Sequence, residues 1–319
     1  MEKIKARKLL TPLWKLDDAI SRIQRLTSNN KPSKIRISCA MIAWNEENTI
    51  DLSLKSIKNL ADEVVIADTG SFDGTVKKAL DCLDKFDLSG EVLRVKSHSL
   101  GEARLAAFDK CSENWILLMD SNLVLSEALK KEMLDASRKG YVSLVSSLNL
   151  MGDYEHYFTP LPFHGHHNTL FRRDHVKWKE TFDRPTLSFL AKRREIKHWA
   201  VNLSRVRPAW RYWYRGEAFD PKHSKNRDYR TDSNIQYKWL RSVKYPSLVE
   251  YVKSEMGLTL NDVKNFAPSW FLDLVRKYAK PLELSMKEKL PEVIKEELSN
   301  PRFKLKYKGD KIIGRHPEL

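Results

Sequence analysis

Short apolar runs and amphipathic segments alternate along the chain between residues 37 and 140. Strands separated by roughly ten to fifteen helical residues predict βαβ units on a mainly parallel sheet, with helices on its faces. A helix closed by a glycine follows at 126–140. The predicted strands lie at 37–42, 64–67, 92–95 and 115–119, and the helices between them at 46–60, 74–86 and 101–111.

Polar turns follow two of the predicted strands. The second strand runs into Asp68 and the glycine-containing turn 69–75, and the fourth runs into Asp120, Ser121 and Asn122. Ligands of open α/β sheets bind beyond the carboxyl ends of the strands, and a turn that opens a helix can face phosphate. From spacing alone, an ordinary turn with helix-capping residues explains the first motif equally well.

The spacing of Asp120 and Asn122 predicts a cation site. Alternate residues of an extended segment face the same way, so both side chains can approach one ion. Carboxylate and amide oxygens suit Mg²⁺ or Mn²⁺ bound together with substrate phosphates. An isolated Asp-x-Asn is a weak signal, and its position one strand after the Asp68 turn unit strengthens the prediction.

The stretch from Ser38 to Leu125 resembles the nucleotide-binding half of inverting family 2 glycosyltransferases, especially the branch of lipopolysaccharide-core and peptide glycosyltransferases. Residues 45–47 are similar to the family's Asn-Glu-Glu, and residues 68–75 resemble its Asp-x-Gly-Ser-x-Asp-Gly-Thr. Residues 101–104 are similar to its segment before the metal-binding strand. The resemblance implies an α/β fold of the GT-A type, with a Rossmann-like, mostly parallel sheet, and a nucleotide-sugar donor, with UDP-sugars as first candidates.

The resemblance also implies roles for individual residues. Asp68 would contact the base or ribose of the donor, and Arg104 would lie near the nucleotide. Asp120 would be the principal acid of the motif that binds the metal. Asn122 replaces that motif's final aspartate, which weakens the metal prediction, and His198 is the candidate that completes the shell. The predicted donor-binding residues are Ala43, Asn45, Glu47, Asp68, Gly70, Ser71, Arg104, Asp120 and Ser121.

A second similarity concerns the acceptor side. Residues 169–173 resemble a family segment that precedes a His-Glu pair, and Phe182-Asp183 takes the place of that pair here. Inverting transfer needs a carboxylate that removes the acceptor proton, so Asp183 is the candidate base and Glu180 the alternative. An ion pair on a surface loop is the competing interpretation. The nearby histidines 164, 166 and 167 fit no zinc spacing and predict a mobile loop.

The chain is predicted to have three parts: an amphipathic helix and linker at 1–32, the GT-A domain at 33–205, and a basic, mainly helical region at 206–319. Residues 151–168 read as loops, and the tail from Asn300 as loosely ordered. The run 210–215 interleaves aromatics with arginines, which suits sugar stacking, a membrane interface, stacked bases or helix packing. The helices predicted in the third part are at 208–215, 233–243, 247–256 and 270–279.

Positive charge is concentrated in the last part of the chain. Residues 191–319 contain 29 Lys and Arg against 16 Asp and Glu, which is +13 of a net charge of +15. Such a region favours anionic partners. A glycan or lipid-linked glycan at a membrane face is the expected acceptor, and a modified base of DNA is the alternative. A non-catalytic module that binds anions or nucleic acid on a degenerate transferase fold is the competing hypothesis.

Other features bear on the setting of the protein. Apolar runs are far shorter than the about 20 residues that cross a bilayer, and the N-terminus lacks a secretory apolar region. We therefore expect a cytoplasmic protein, peripheral at the inner membrane face in one interpretation. Three cysteines without metal-like spacing indicate reduced core residues.

Overall fold

The computed structural model describes residues 35–96, 99–178, 184–189, 191–215, 244–245 and 247–316. From Arg36 onward, the described residues belong to one compact unit. The predicted helices within 1–32 and at 233–243 lie outside the described residues, as do the candidate bases Asp183 and Glu180.

A mixed sheet of eleven strands forms the centre of the part of the chain that the structure describes. The four predicted strands are all present, and the order β3-β2-β1-β4 places them side by side and parallel. Their bounds are β1 Ile37–Ala43, β2 Glu63–Asp68, β3 Gly90–Arg94 and β4 Trp115–Asp120.

The register of the three central strands places the two acidic turns. In the parallel ladders, Ala43 of β1 is opposite Asp68 of β2, and Ile42 is opposite Asp120 of β4. The two aspartates therefore flank the same end of β1, two interstrand spacings or about 10 Å apart along the backbone. Since this is the carboxyl end of the parallel strands, it is where a ligand is expected.

Four helices connect the parallel strands and cover the sheet. The first begins later than predicted, because residues 46–49 form a turn after Asn45, which has a φ of 50°. Serines cap two of the others: Ser99 accepts from the Glu102 backbone, and Ser126 accepts from the Leu129 backbone. The bounds are α1 Ile50–Ile57, α2 Thr75–Lys85, α3 Leu100–Lys110 and α4 Glu127–Arg138.

Residues 142–172 correct the sequence prediction. The residues predicted as loops, including the predicted mobile loop of histidines, contain β7 (His156–Phe158) and the first part of the long strand β8 (Phe163–Arg172). The end of β8 is a strand that the sequence predicts at 169–172, and β8 pairs antiparallel with a second long strand, β6 (Val142–Met151). Register shifts interrupt the ladder between β6 and β8. Such irregularities disrupt the alternation of apolar and polar residues by which a strand is recognised in a sequence.

Short strands complete the sheet and its surroundings. Strand β12 lies between β6, with which it pairs parallel, and β5, with which it pairs antiparallel, so it contacts the residues that follow β4. The bounds are β5 Leu123–Val124, β9 Val176–Lys177, β10 Thr186–Leu187, β11 Arg193–Glu195, β12 Ala200–Arg205 and β13 Ala279–Pro281.

The helices after residue 206 pack on the end of β1. Trp44 shares an apolar core with Tyr212, Val252 and Phe271, which come from three of these helices. The longest helix begins at a capping box of Thr259 and Asp262 and contains Pro268, so it starts before the predicted residue 270. The bounds are α5 Ala209–Arg215, α6 Leu248–Met256, α7 Leu260–Tyr278, α8 Leu284–Glu288 and α9 Glu292–Ser299.

The predicted loosely ordered tail is a β-hairpin. Strands β14 (Lys304–Lys308) and β15 (Lys311–His316) pair antiparallel, and Leu305 and Arg315 are buried. Arg315 lies over the Phe303 ring at 4.1 Å and donates to the Arg207 carbonyl. The loosely ordered tail was predicted from its many lysines. In the structure these lysines are exposed residues of the hairpin, whose other face packs on the core. Among the described helices, none is long and apolar enough to cross a membrane.

Candidate active site

The turn after β1 and the turn after β2 are joined by backbone to side-chain hydrogen bonds. The Asn45 backbone donates to Ser71 Oγ at 2.7 Å, and the Asn45 side-chain oxygen accepts from the Phe72 backbone at 2.9 Å. The Glu46 backbone donates to Thr75 Oγ1 at 2.6 Å. The two motifs predicted to bind the donor therefore form one structural unit.

Asp68 stabilises the turn that it begins. Its carboxylate is almost fully buried and accepts from the Gly70 and Ser71 backbones at 3.2 and 3.1 Å. Gly70 has a φ of +95°, a conformation that a residue with a Cβ rarely adopts. Burial raises the pKa of Asp73, the other carboxyl of the turn, while hydrogen bonds from Thr75 oppose that shift.

At the end of β4, Asp120 is paired with a buried arginine from α3. Arg104 Nη2 lies 2.6 Å from Asp120 Oδ1, and the side chains are 4% and 25% exposed. Arg184 interacts electrostatically with both residues, and burial lowers the pKa of its guanidinium to about 10. The structure thus places Arg104 and Asp120, both predicted donor-binding residues, in contact, and it adds Arg184, which was not predicted as a site residue.

Asn122 points into a buried network around Glu46. Its side-chain nitrogen donates to Glu46 Oε1 at 3.3 Å, and Arg207 and Arg211 place guanidinium nitrogens 3.0 and 3.1 Å from the same oxygen. Arg211 also donates to the Asn45 carbonyl at 2.9 Å and lies over the Trp44 ring. Glu46, Arg207 and Arg211 were not predicted as site residues, although the helical run that contains Arg211 was noted for its composition.

His198 is paired with Glu132 of α4. The His198 ring nitrogen Nδ1 lies 2.9 Å from Glu132 Oε2, and hydrogen bonds from His198 lower the pKa of that carboxyl against the effect of burial. His198 precedes β12, whereas the residues next to Asn122 come from within that strand, since Leu203 donates its backbone to the Asn122 carbonyl at 2.8 Å. The described partner of His198 is therefore Glu132, and its place in a metal shell stays a prediction.

The histidines of β8 form part of the surroundings of Asp120. The rings of His164 and His167 are in contact, with centroids 4.5 Å apart. Burial, followed by the charges of Arg184 and His164, lowers the pKa of His167 to about 3, while Asp120 acts in the opposite direction. His167 is consequently a neutral side chain beside two arginines at physiological pH.

Among the described residues, the end of β4 offers one carboxylate to a cation. Among the described residues, no three His, Cys, Asp or Glu side chains are grouped so that they could bind a metal ion. Asp120 is already ion-paired, and the amide of Asn122 contacts Glu46. A divalent cation that is bound together with substrate phosphates needs only one or two protein carboxylates, so Asp120 is the described side chain that would hold it, and the cation stays a prediction.

An aromatic cluster borders the donor turn, which is the turn at residues 69–75 where donor binding is predicted. Phe72, within the turn, is 43% exposed and lies 5.6 Å from the Trp210 ring and 6.1 Å from the Trp44 ring. An exposed aromatic side chain supported by two buried ones gives a rigid apolar surface beside the turn. Within the aromatic run 210–215, Trp210 is therefore accounted for by packing. Phe72 is exposed and can contact a ligand.

The largely parallel central sheet, with acidic turns after β2 and β4, has the architecture of the GT-A fold. The chain belongs to glycosyl transferase family 2, whose family model matches residues 38–199, which is 162 of its 319 residues. The family and the fold predicted from the sequence are confirmed.

Curated relatives match over a shorter stretch. An uncharacterized glycosyltransferase of Rickettsia conorii is 30% identical over 104 residues, which is 33% of this chain and 35% of the relative. One of Rickettsia typhi is 32% identical over 98 residues, 31% of this chain and 32% of the relative. The chain thus spans about a third of the length of the curated relatives that it matches.

Solved structures show more distant similarity. Glucosyl-3-phosphoglycerate synthase from Mycobacterium tuberculosis, crystallised with Mg²⁺ and UDP, is 22% identical, with a TM-score of 0.27 over 37% of this chain and 44% of that chain. TarS from S. aureus is 16% identical, with a TM-score of 0.39 over 76% of this chain and 49% of that chain.

Proposed function

We propose that this glycosyltransferase moves a sugar from a nucleoside diphosphate, UDP first among the candidates, to an acceptor hydroxyl with inversion at the anomeric carbon. The observation that carries the proposal is the register of β1, β2 and β4, with Asp68 and Asp120 on either side of the same strand end. An elongated ligand with two different ends suits this arrangement. The nucleoside lies at the Asp68 turn and the diphosphate beside Arg104 and Asp120, where Asp120 would hold a divalent cation, Mn²⁺ or Mg²⁺.

In the proposed reaction, the acceptor oxygen attacks the anomeric carbon while the bond to the diphosphate breaks on the opposite side. Asp183 is the proposed base that takes the acceptor proton, and Glu180 is the alternative. The position of Arg184 supports this choice, because the residue after Asp183 in the sequence interacts with Asp120. The arginines beside Asp120 oppose the negative charge that develops on the departing diphosphate.

A carbohydrate is the proposed acceptor. Phe72, supported by Trp44 and Trp210, offers an exposed aromatic surface next to the donor turn, and aromatic surfaces of this kind suit sugar rings. The proposal includes lipid-linked glycans, for which contact with an anionic membrane surface would use the basic C-terminal part of the chain.

The test is release of nucleoside diphosphate from a panel of nucleotide sugars, with and without glycan acceptors and duplex DNA. We expect turnover by the native protein and a loss of at least about a hundredfold in Asp120→Ala, since removing one charged group from a transition-state site has costs of this size. Asp135→Ala is the matched control, because Asp135 is an exposed aspartate that also pairs with an arginine, Arg138. Nuclear magnetic resonance of the product reads the anomeric configuration.

Three outcomes would change the proposal. Near-native turnover by Asp120→Ala would remove Asp120 from the mechanism. Transfer to DNA but not to glycans, with binding that weakens steeply with salt, would replace the acceptor. If the protein neither binds nor hydrolyses any nucleotide sugar, the remaining hypothesis is a non-catalytic module.

A further inference from the structure

Arg302, in the segment between α9 and the C-terminal hairpin, contacts the start of helix α1. Its two terminal nitrogens lie 2.8 and 2.7 Å from the two carboxylate oxygens of Asp51, which is the bidentate geometry of a strong ion pair. The first nitrogen also donates to the Asn48 carbonyl at 2.9 Å, and the second to Glu297 Oε1 at 3.0 Å. Arg302 therefore joins α9, α1 and the turn that precedes α1.

The Arg302 contact differs from a second ion pair between the same two helices. The side chains of Arg302, Asp51 and Glu297 are 29%, 22% and 15% exposed. Lys55 and Glu296 also join α1 to α9, but their side chains are 41% and 60% exposed, and exposed ion pairs fix little. Lys55 lies one helical turn after Asp51, further from the turn before α1. The start of α1 is thus the end that Arg302 holds in place.

Helix α1 is connected to both parts of the predicted donor site. In the turn before it, Glu47 Oε2 accepts from the Gly74 backbone of the donor turn at 3.2 Å. Within the helix, Ser53 Oγ donates to the Ser121 carbonyl, next to Asp120, at 2.9 Å. Since ordering a loop during binding costs free energy, a turn that is already fixed binds its ligand more tightly. A displaced α1 would lose this advantage at both places.

We propose that Arg302 is a positioning residue for donor binding, which fixes the start of α1 and thereby the turn after β1 that supports the nucleotide. This inference rests on the proposed function, because Asn45, Glu47 and Ser121 bind the donor only in that function. Arg302 follows Asn48 by 254 residues, so the C-terminal part of the chain contributes to the shape of the donor site.

Calorimetric titration of the full chain with UDP in millimolar Mn²⁺ tests the inference, at a temperature where thermal melts show that each variant is folded. Arg302→Gln removes charge-assisted hydrogen bonds, and we expect it to weaken UDP binding by about five- to twentyfold. Arg302→Lys keeps the charge without the planar fork, so it should restore part of the affinity. Lys55→Gln is the matched control and should bind UDP as the native protein does.

A purely structural role of Arg302 predicts a different result. Arg302→Gln would then melt at a lower temperature but bind UDP within about twofold of the native protein, which would overturn the inference and leave the proposed function intact. An equal loss of affinity in Lys55→Gln would also overturn it, because any loosening of α9 from α1 would then suffice. A native protein that binds none of the common nucleoside diphosphates would overturn both.

Discussion

At the level of single residues, Gly74 in the donor turn is closely packed, whereas Gly165 in β8 is not. Gly74 donates its backbone to Glu47 Oε2 at 3.2 Å, and a Cβ at Gly74 would lie 2.5 Å from the other oxygen, Oε1. Gly165 in β8 has nothing within 4 Å of the same position. The first glycine is therefore required by a neighbour, and the second is not.

Gly74→Ala should push the Glu47 carboxylate out of the turn. The lost hydrogen bond is worth about 1 kcal/mol, which lowers the free energy of unfolding by that amount and weakens nucleoside diphosphate binding about fivefold. Urea denaturation and calorimetric titration measure the two effects. Gly165→Ala is the control, and equal behaviour of the two variants would show that Glu47 does not depend on Gly74.

His167 gives the folded protein a dependence on pH. Its pKa is lowered from 6.5 to about 3, chiefly by burial, so between these values the unfolded chain binds a proton that the folded chain does not. Stability therefore rises with pH across this window and is lost as the pH falls through it.

We expect the melting temperature to decrease from pH 7 to pH 4, and to decrease less in His167→Gln. Scanning fluorimetry of both proteins at half-unit intervals measures the difference. Parallel curves would mean that His167 is protonated as readily in the folded as in the unfolded chain.

At the scale of elements, helix α5 is attached to the end of β1 by buried charge. Glu46 follows β1, and its carboxylate meets Arg211 of α5 and Arg207 just before that helix, with each of these side chains at most 4% exposed. Arg211 also hydrogen-bonds the Asn45 carbonyl. The position of α5 and the shape of the donor turn therefore depend on the same charges.

Glu46→Gln should be severely destabilising, by about 3–5 kcal/mol, because it leaves two buried arginines without their counter-charge. Adding Arg211→Met removes one of those arginines, so the double variant should be more stable than the sum of the single losses. Urea denaturation of the native protein, the two single variants and the double variant gives the coupling energy between Glu46 and Arg211. The exposed pair Asp135 and Arg138 should show a coupling below about 1 kcal/mol, and an additive result at Glu46 would contradict the network.

The elements differ in how far the sequence predicts them, for physical reasons. Strands β1 to β4 and helices α1 to α4 follow from local periodicity, and Asp68 and Asp120 from their places at strand ends. Strand β6 and residues 163–168 of β8 were missed because register shifts hide their alternation. Arg211 was missed because it meets Glu46 across 165 residues, and no local pattern indicates a contact of that range. The roles of Asp183 and His198 stay predictions.

At the scale of the whole molecule, the terminal hairpin seals the core formed by α5 to α7. Leu305 is 3% exposed and belongs to the same cluster as Phe271 and Trp44, and it packs at the surface of Gly152. Ile313, on the other strand, is 51% exposed. The two strands of this hairpin therefore offer matched positions with opposite burial.

Leu305→Ala should lower the free energy of unfolding by about 2–5 kcal/mol, the cost of a cavity in a packed core. Ile313→Ala should change it by less than about 0.5 kcal/mol, because the exposed side chain loses few contacts. Urea denaturation of the two variants and the native protein is the measurement. Similar values for both would show that the hairpin does not support the core.

The large sequence separation of Glu46 and Arg211 also affects the order in which these contacts form during translation. The ribosome makes the turn after β1 early, but Arg211 follows 165 residues later, which corresponds to roughly 10–30 s of translation at ordinary rates. Until then the Glu46 carboxylate remains hydrated and the nucleotide site lacks its supporting charges. A nascent chain that stalls after β4 has left the ribosome and before Arg211 is made can form the parallel strands, but it lacks the contact between Arg211 and the turn after β1.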